Sequence, residues 1–187
     1  MPTNFGISSV NYSVNHIIDV LIKMLNNNKI IKILFICLGN ICRSPAAEGV
    51  MRHLLELHQL EHLFEIDSAG IGSWHVGDLP DRRMRQCGAS RGYNFNHRAR
   101  QISDSDFEHF DYIVGMDHEN MSTLKRMKSR QPDAKAQLIC LADYLQKHKG
   151  QATVPDPYYG SQRDFEFALD LIEDACEGLL KELVTSL

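Results

Sequence analysis

A cysteine and an arginine separated by five residues form the segment of this chain best suited to chemistry. Cys37 ends an apolar run that begins at Ile30, and Arg43 stands just before the pair Ser44-Pro45, which favours the start of a helix. A helix N-terminus offers unpaired backbone N–H groups and a partial positive charge. That field binds phosphate and stabilises a thiolate, while a guanidinium can hold two phosphoryl oxygens. The spacing predicts a phosphate-binding loop with Cys37 as its nucleophile.

The residues between Cys37 and Arg43 suit a tight turn around one anion. Gly39 allows close backbone approach, and Asn40 tolerates the left-handed backbone conformation that such a turn often needs. The predicted loop is completed by Leu38, Ile41, Cys42 and Ser44. This spacing of cysteine and arginine occurs by chance in many proteins. The alternative interpretation is therefore a core cysteine and a surface arginine near a helix start.

A second segment supplies a carboxylic acid beside two aromatic residues. Asp156 precedes Pro157, which disfavours helical backbone before it, and Tyr158 and Tyr159 follow. A carboxylic acid on a loop can protonate the oxygen of a departing phenolate. The alternative is an aspartate that only initiates a turn, which is common before proline.

Strands that alternate with helices would position these two segments. Apolar runs predict strands over residues 30–37, 64–68, 111–116 and 137–141. Helices are predicted after Ser44, over residues 81–91, after a capping Asp117, and over an apolar stripe from Phe165 to Leu183. This alternation predicts an α/β sandwich with a mostly parallel sheet. Ligands of such sheets collect at the carboxyl ends of the strands, where Cys37 is expected.

The composition fits one globular domain, because 187 residues that are 43% hydrophobic can bury a real core. A net charge of −4 argues against a broad basic field for nucleic acid. No run of 18 apolar residues occurs, so no membrane span is expected. The five cysteines form no C-x-x-C pair or zinc-like cluster and the histidines are scattered, which favours reduced thiols, a cytoplasmic location and no metal site.

The first 28 residues have a character of their own. Five apolar residues repeat there at helical spacing, namely Ile17, Ile18, Leu21, Ile22 and Leu25. The pattern predicts a short amphipathic helix that lies on the domain, with a dimer contact or a mobile arm as alternatives. There is no basic n-region and no A-x-A-like cleavage site, so a signal peptide is not expected.

Six short motifs follow one another along the chain. They are CLGNICRSP from residue 37, DSAG from 67, WHVG from 74, HRARQ from 97, DYIVGMD from 111 and DPYYG from 156. Their identity and order, over residues 32–183, resemble the low-molecular-weight protein tyrosine phosphatases. The resemblance implies a three-layer sandwich with a four-stranded parallel sheet and the phosphate-binding loop between the first strand and the first helix. Residues 29–187 would form the phosphatase domain and residues 1–28 an N-terminal extension.

The resemblance also implies an activity, namely hydrolysis of phosphotyrosine on proteins through a phosphocysteine intermediate, without metal or cofactor. Cys37 would attack phosphorus, Arg43 would hold the phosphate, and Asp156 would protonate the tyrosine oxygen and then activate water. Phosphotyrosine proteins would be the partners, and inorganic phosphate and other oxyanions the product or inhibitors. No nucleic acid partner is implied, and the chain is expected to be a monomer or a weak dimer.

Other matching positions imply supporting roles. Ser44 would donate a hydrogen bond to the Cys37 thiolate, and Asn40 would bond to Ser44 and to His97. Asp117 would organise the loop or Arg43. The residues expected to wall the cleft and contact the substrate ring are Trp74, Tyr158, Tyr159 and Leu38. Cys42 would pair reversibly with Cys37 under peroxide.

Three alternative functions use the same loop. Protein-arginine phosphatases of this fold carry threonine where this chain has Ile41, so an aliphatic side chain favours phosphotyrosine. Thiol-linked arsenate reductases need two further relay cysteines, but Cys87 is isolated and Cys140 and Cys176 are far apart. A phosphopeptide-binding module without activity would be expected to lose the nucleophile or the acid, and this chain has both.

Overall fold

Four strands and five helices alternate along residues 30–132 and 134–185, which are the residues that the computed structural model describes. The predicted helix within residues 17–25 lies outside them. The strands are β1 (Ile31–Cys37), β2 (Phe64–Gly70), β3 (Tyr112–Gly115) and β4 (Gln137–Cys140). The helices are α1 (Arg43–His58), α2 (Arg82–Ser90), α3 (Asp106–His109), α4 (His118–Lys128) and α5 (Gln162–Thr185). Short 3-10 turns occur at Glu61–Leu63 and Leu141–Tyr144.

The strands form one sheet in the order β2-β1-β3-β4, and every pair is parallel. Strand β1 is central and pairs with β2 from Ile31↔Phe64 to Cys37↔Gly70. The predicted four-stranded parallel sheet is therefore confirmed. Because all strands run the same way, their carboxyl ends meet at one edge, and Cys37 lies in the middle of that edge.

Helices cover both faces of the sheet. Ile33 and Phe35 of β1 pack into a core shared with α1 and α5, whereas Leu34 and Ile36 pack into a second core that contains Leu124 of α4. Alternate residues of a strand point to opposite faces, so a continuous apolar run is what two covered faces require. The fold is the predicted three-layer α/β sandwich.

One of the two predicted helix caps, Asp117, is confirmed, and Asp81 caps a second helix although no cap was predicted there. The backbone N–H of Arg83 donates to Asp81 Oδ1 (2.8 Å) at the start of α2, and that of Asn120 donates to Asp117 Oδ1 (2.7 Å) at the start of α4. The prediction that Ser44 caps α1 is wrong, because α1 begins one residue earlier, at Arg43. The hydroxyl of Ser44 points back towards Cys37 and makes no capping bond.

The last helix, α5, packs along α1 and carries the predicted apolar stripe. Phe165, Leu169 and Leu183 are all buried. A side chain at Gly178 would clash with the backbone oxygen of Tyr144, so this glycine allows α5 to pack closely against the turn at Leu141–Tyr144. Within the described ranges, no helix combines the length and the apolar composition needed to cross a bilayer.

Candidate active site

The phosphate loop, residues 37–43, connects the end of β1 to the first turn of α1. Its carbonyl groups are bonded to the segment that follows β2. Ile71 N–H donates to Cys37 O (2.9 Å), and Gly72 N–H donates to Leu38 O (2.8 Å). The carbonyl oxygens of Cys37 and Leu38 therefore hold the loop against a neighbouring segment. The backbone N–H groups of the loop remain available to another partner.

Backbone conformation turns the loop at Asn40, which has a φ of 57° in the predicted left-handed region. Within the described residues, the backbone N–H groups from Leu38 to Cys42 donate no hydrogen bond. A Cβ at Gly70 would lie 3.0 Å from Asn40 N, so the glycine at the end of β2 allows the loop to lie against that strand. Five free amides at a helix N-terminus can surround one oxyanion.

Ser44 connects the nucleophile to the loop. Its Oγ lies 3.1 Å from Cys37 Sγ and accepts a hydrogen bond from Asn40 Nδ2 (2.9 Å). Because Asn40 supplies that hydrogen, the Ser44 hydroxyl keeps its own for the Cys37 sulfur or for Ala69 O, 3.3 Å away. The side chain thus has the placement that a donor to a thiolate needs.

The predicted hydrogen bond between Asn40 and His97 is wrong. An amide has two N–H hydrogens, and those of Asn40 go to Ser44 and to Ser68 Oγ (2.9 Å). Asn40 Oδ1 accepts from Arg100 N–H (2.9 Å). With all three positions occupied and the residue only 1% exposed, Asn40 is a fixed support of the loop.

His97 reaches the loop indirectly, through a buried carboxylate. Its Nδ1 lies 3.1 Å from Glu48 Oε2, which accepts a hydrogen bond from Ser68 Oγ (2.8 Å). Ligand atoms of Glu48, Asp67 and His97 lie within 4.8 Å of one another, a spacing that a metal could bridge. Both carboxylates are already bound by guanidinium groups, those of Arg52 and Arg100. Protein donors thus occupy both carboxylates, which is unlike a metal site with open ligands.

Arg43 is fixed by two carboxylates and one carbonyl. Nη1 donates to Asp117 Oδ2 (2.6 Å) and Val154 O (3.0 Å), and Nη2 donates to Asp156 Oδ2 (2.5 Å). Burial opposes its charge, but Cys37, Asp156 and Asp117 outweigh burial and raise the pKa of Arg43 above its ordinary value. Nε is buried without a partner among the described residues. A charged guanidinium with an unused N–H is suited to hold an oxyanion.

The loop that carries Asp156 is tied to the sheet and to α2. Val154 N–H donates to Met116 O (2.8 Å), and Arg83 Nη2 donates to Tyr158 O (3.0 Å). Asp156 Oδ1 accepts from the Tyr158 N–H (3.1 Å). Asp156 and Arg43, which are 113 positions apart, are thereby brought into contact.

A cleft of about 320 Å³ joins the predicted nucleophile, arginine and acid. Its lining contains all the predicted recognition residues, which are Leu38, Trp74, Tyr158 and Tyr159, and it also contains Gly39, Ile41, Cys42 and His75. The rings of Tyr158 and Tyr159 stand nearly perpendicular, with centroids 4.9 Å apart. The volume suits one substituted aromatic ring rather than a large cofactor.

The cysteines differ in their surroundings. Burial, with Cys37, Asp81 and Asp156 nearby, raises the pKa of Cys42 far above its ordinary range. Burial also raises the pKa of Cys87 to about 12, and it raises the pKa of Cys140 and Cys176. All five are free thiols. Cys87, Cys140 and Cys176 are therefore protonated at neutral pH, as expected for inert core residues, whereas the protonated Cys42 lines the cleft beside Cys37.

Sequence reasoning missed four residues of the site: Glu48, Ser68, Arg100 and His75. Ser68 could have been found, because it lies near the carboxyl end of β2, the strand that pairs in parallel with β1. Glu48 follows Ser44 by one helical turn on the buried side of α1, where a charged residue needs a partner. The hydrogen bond from Arg100 N–H to Asn40 depends on the path of a distant loop, and no local sequence pattern predicts that path.

Comparison with known proteins gives a consistent assignment. The family profile described as "Low molecular weight phosphotyrosine protein phosphatase" matches residues 32–186. The low molecular weight phosphotyrosine protein phosphatase of Gallus gallus is 40% identical over 150 residues, which cover 80% of this chain and 94% of that protein.

Two solved structures have a similar fold. The protein tyrosine phosphatase of Entamoeba histolytica superposes with a TM-score of 0.76 at 44% identity, covering 82% of this chain and 96% of that one. A Drosophila arginine phosphatase superposes with a TM-score of 0.77 at 36% identity, covering 82% and 98%. The chain therefore belongs to the family of low molecular weight phosphotyrosine protein phosphatases.

Proposed function

We propose that Cys37, Arg43 and Asp156 together hydrolyse phosphotyrosine on proteins, the reaction for which the family is named. The observation that carries this assignment of roles is the single cleft that all three side chains line. Cys37 lies at its floor beside five unused backbone amides, and Asp156 lies on a loop at its mouth. The arrangement supplies a nucleophile, an oxyanion site and a proton donor.

The first step transfers the phosphoryl group to sulfur. The phosphoryl oxygens accept hydrogen bonds from the loop amides and from the guanidinium of Arg43, and they replace Asp156 at Nη2. The Cys37 thiolate attacks phosphorus as the bond from phosphorus to the tyrosine oxygen breaks. Asp156 gives its proton to that oxygen, and neutral tyrosine leaves. The products of this step are phosphocysteine and the Asp156 carboxylate.

The second step returns the enzyme to its starting state. Asp156, now a carboxylate, takes a proton from a water molecule as the water oxygen attacks phosphorus. The phosphorus–sulfur bond breaks, inorganic phosphate forms, and Cys37 leaves as a thiolate. Ser44 Oγ, 3.1 Å from Cys37 Sγ, stabilises that leaving group by a hydrogen bond. Asp156 ends protonated, ready for the next substrate.

The walls of the cleft favour a phenyl phosphate. Trp74, Tyr158 and Tyr159 offer aromatic surface to a substrate ring. The similar Drosophila structure is named an arginine phosphatase, which makes phosphoarginine the second candidate substrate. Ile41 lines the cleft with an aliphatic side chain that cannot hydrogen-bond a guanidinium, so phosphotyrosine remains the proposal.

We also propose a reducing, cytoplasmic environment, supported by five unpaired cysteines. Cys42 lines the same cleft as Cys37, and we propose that the two form a disulfide under peroxide. This bond would block the nucleophile reversibly and shield it from further oxidation.

The test is phosphate release from a phosphotyrosine peptide, with phosphoarginine and phosphoserine peptides compared. We expect the phosphotyrosine peptide to be preferred, Cys37→Ser to be inactive, and Asp156→Ala to be slower by about 10²-fold or more. Rapid acid quenching should trap phosphate on Cys37, identified by mass spectrometry.

Cys87→Ser is the matched control, since the same change at a buried thiol outside the cleft should leave turnover within about twofold. A preference for phosphoarginine would assign the chain to the second candidate. Turnover that survives Cys37→Ser would disprove the phosphocysteine route.

A further inference from the structure

A second cavity of about 160 Å³ adjoins the catalytic cleft. The two share three lining residues, Leu38, Arg43 and Asp156. The rest of the second cavity is formed by Ile71 and the start of α4, through Asp117, Glu119, Asn120 and Thr123. None of the aromatic residues of the first cleft reaches it. A residue next to a bound phosphotyrosine therefore meets either an aromatic wall or this cavity.

The charges of the second cavity are unbalanced. It has three carboxylates, and only one cation, Arg43, is among its lining residues. Asp117 and Asp156 both bind that cation, at 2.6 and 2.5 Å. Glu119 is exposed and makes no hydrogen bond or ion pair within the described part of the chain. The cavity therefore carries excess negative charge at Glu119, beside the apolar side chains of Leu38 and Ile71.

Asn120 adds an unused polar group that is itself buried. The residue is 97% buried (3% exposed) and lines the second cavity. Its Oδ1 accepts from Met116 N–H (3.4 Å), whereas its Nδ2 has no partner among the residues described. An unpaired amide donor on a side chain that lines a cavity can donate to an acceptor there, and a ligand in the cavity would provide that acceptor.

We propose that this cavity binds a lysine or arginine side chain next to the phosphotyrosine of a polypeptide substrate, an inference that rests on the proposed function. The aliphatic stem packs on Leu38 and Ile71, and the cationic group pairs with Glu119. Asn120 Nδ2 donates to a carbonyl oxygen of the same peptide. Glu119 is then a specificity-determining residue, because an acidic neighbour in the substrate is repelled where a basic one is attracted.

The chemistry of the two cavities explains why the cation belongs in the second one. Phosphate, a dianion, is held by Arg43 and the loop amides in the first cleft, and its neighbour in the peptide carries the opposite charge. The ridge between them is Leu38, which is 47% exposed and lines both cavities. A peptide that crosses Leu38 places its phosphate on one side and its basic side chain on the other.

The experiment uses the full chain and pairs of phosphotyrosine peptides that differ only by lysine or glutamate at one position next to the phosphotyrosine. Each position on both sides is varied in turn, and KM and kcat are measured separately at low salt. We expect one position at which lysine is preferred by about three- to tenfold in kcat/KM, mainly through KM. High salt should reduce the ratio because it screens the pairing.

Variants assign the preference to the cavity. Glu119→Gln should bring the lysine-to-glutamate ratio close to one, and Glu119→Lys should invert it. Glu61→Gln removes an exposed carboxylate at the opposite, amino-terminal edge of the sheet and should keep the wild-type ratio.

Two outcomes would overturn the proposal in distinguishable ways. Equal lysine-to-glutamate ratios in wild type and Glu119→Gln, with free phosphotyrosine still hydrolysed by the wild type, would refute the second cavity alone. No hydrolysis of free phosphotyrosine by the wild type would refute the proposed function, and this inference with it.

Discussion

The phosphate loop and the rim of the cleft are neighbours with opposite construction. In the loop, Asn40 and Arg43 are each 1% exposed, and most of their polar atoms are bound by backbone and side-chain groups from distant parts of the chain. On the rim, Trp74 is 72% exposed and Tyr159 is 97% exposed. One region is held rigid by buried hydrogen bonds, and the other is held mainly by its backbone.

This difference separates two tasks. Stabilising the charge of a transition state requires donors already fixed in place, because reorganising them during the reaction would cost free energy. Binding a phosphotyrosine that sits in many different proteins requires apolar surface that adapts. We therefore expect changes in the loop to lower kcat and changes on the rim to raise KM.

Among changes that compare the loop with the rim, the largest effect should come from Arg43→Lys. Lysine keeps the charge but loses the planar fork, so it cannot hold Asp117 while binding two phosphoryl oxygens. We expect kcat to fall by about 10²-fold or more, measured as phosphate release at saturating peptide. The matched control is Arg130→Lys, at an exposed position after α4, which should behave as wild type. A similar loss of kcat in Arg130→Lys, or no loss of kcat in Arg43→Lys, would contradict the expected difference between the loop and the rim.

An intermediate effect is expected for Asn40→Ala. Alanine removes three buried hydrogen bonds and must still adopt the left-handed conformation, so we expect about 2–4 kcal/mol less free energy of unfolding and about tenfold lower kcat. Asn40→Gly keeps the backbone freedom, so comparing the two variants by denaturant unfolding separates backbone strain from hydrogen bonding. If Asn40→Ala had the same free energy of unfolding as the wild type, the three hydrogen bonds of Asn40 would contribute nothing to stability.

The smallest effect should come from Trp74→Ala on the rim. The loss of aromatic surface should raise KM for a phosphotyrosine peptide by about three- to tenfold, with kcat and unfolding free energy nearly unchanged. Inhibition by inorganic phosphate serves as the internal control, because phosphate has no ring to contact Trp74. A drop in kcat without a change in KM would mean that the rim takes part in the chemistry.

Much of the fold could be predicted from the sequence because its signals are local. The apolar run of β1 and the cap Asp117 each depend on a few neighbouring residues, and each was found in the structure. The parallel sheet then brings Arg43 and Asp156 together, since both lie beside carboxyl ends of strands.

The hydrogen bonds behind the loop could not be predicted in the same way. Ser44 has the residue type of a helix cap, yet tertiary contact turns its hydroxyl to Cys37. His97 was expected at Asn40, but Ser68 and Glu48 lie between them. Such partners are decided by where loops cross in space, and separations of 20 or more positions carry no periodic signal.

The anchoring of the Asp156 loop has a consequence for the pace of the reaction cycle. Val154 is bonded to the sheet through its N–H and to Arg43 through its carbonyl, and Arg83 holds the loop at Tyr158. Because this loop is bonded at both ends, we expect no lid motion to precede the transfer of the proton. We then expect product release to need no loop opening. Raising the solvent viscosity should slow only the diffusion of substrate and product into and out of the open cleft.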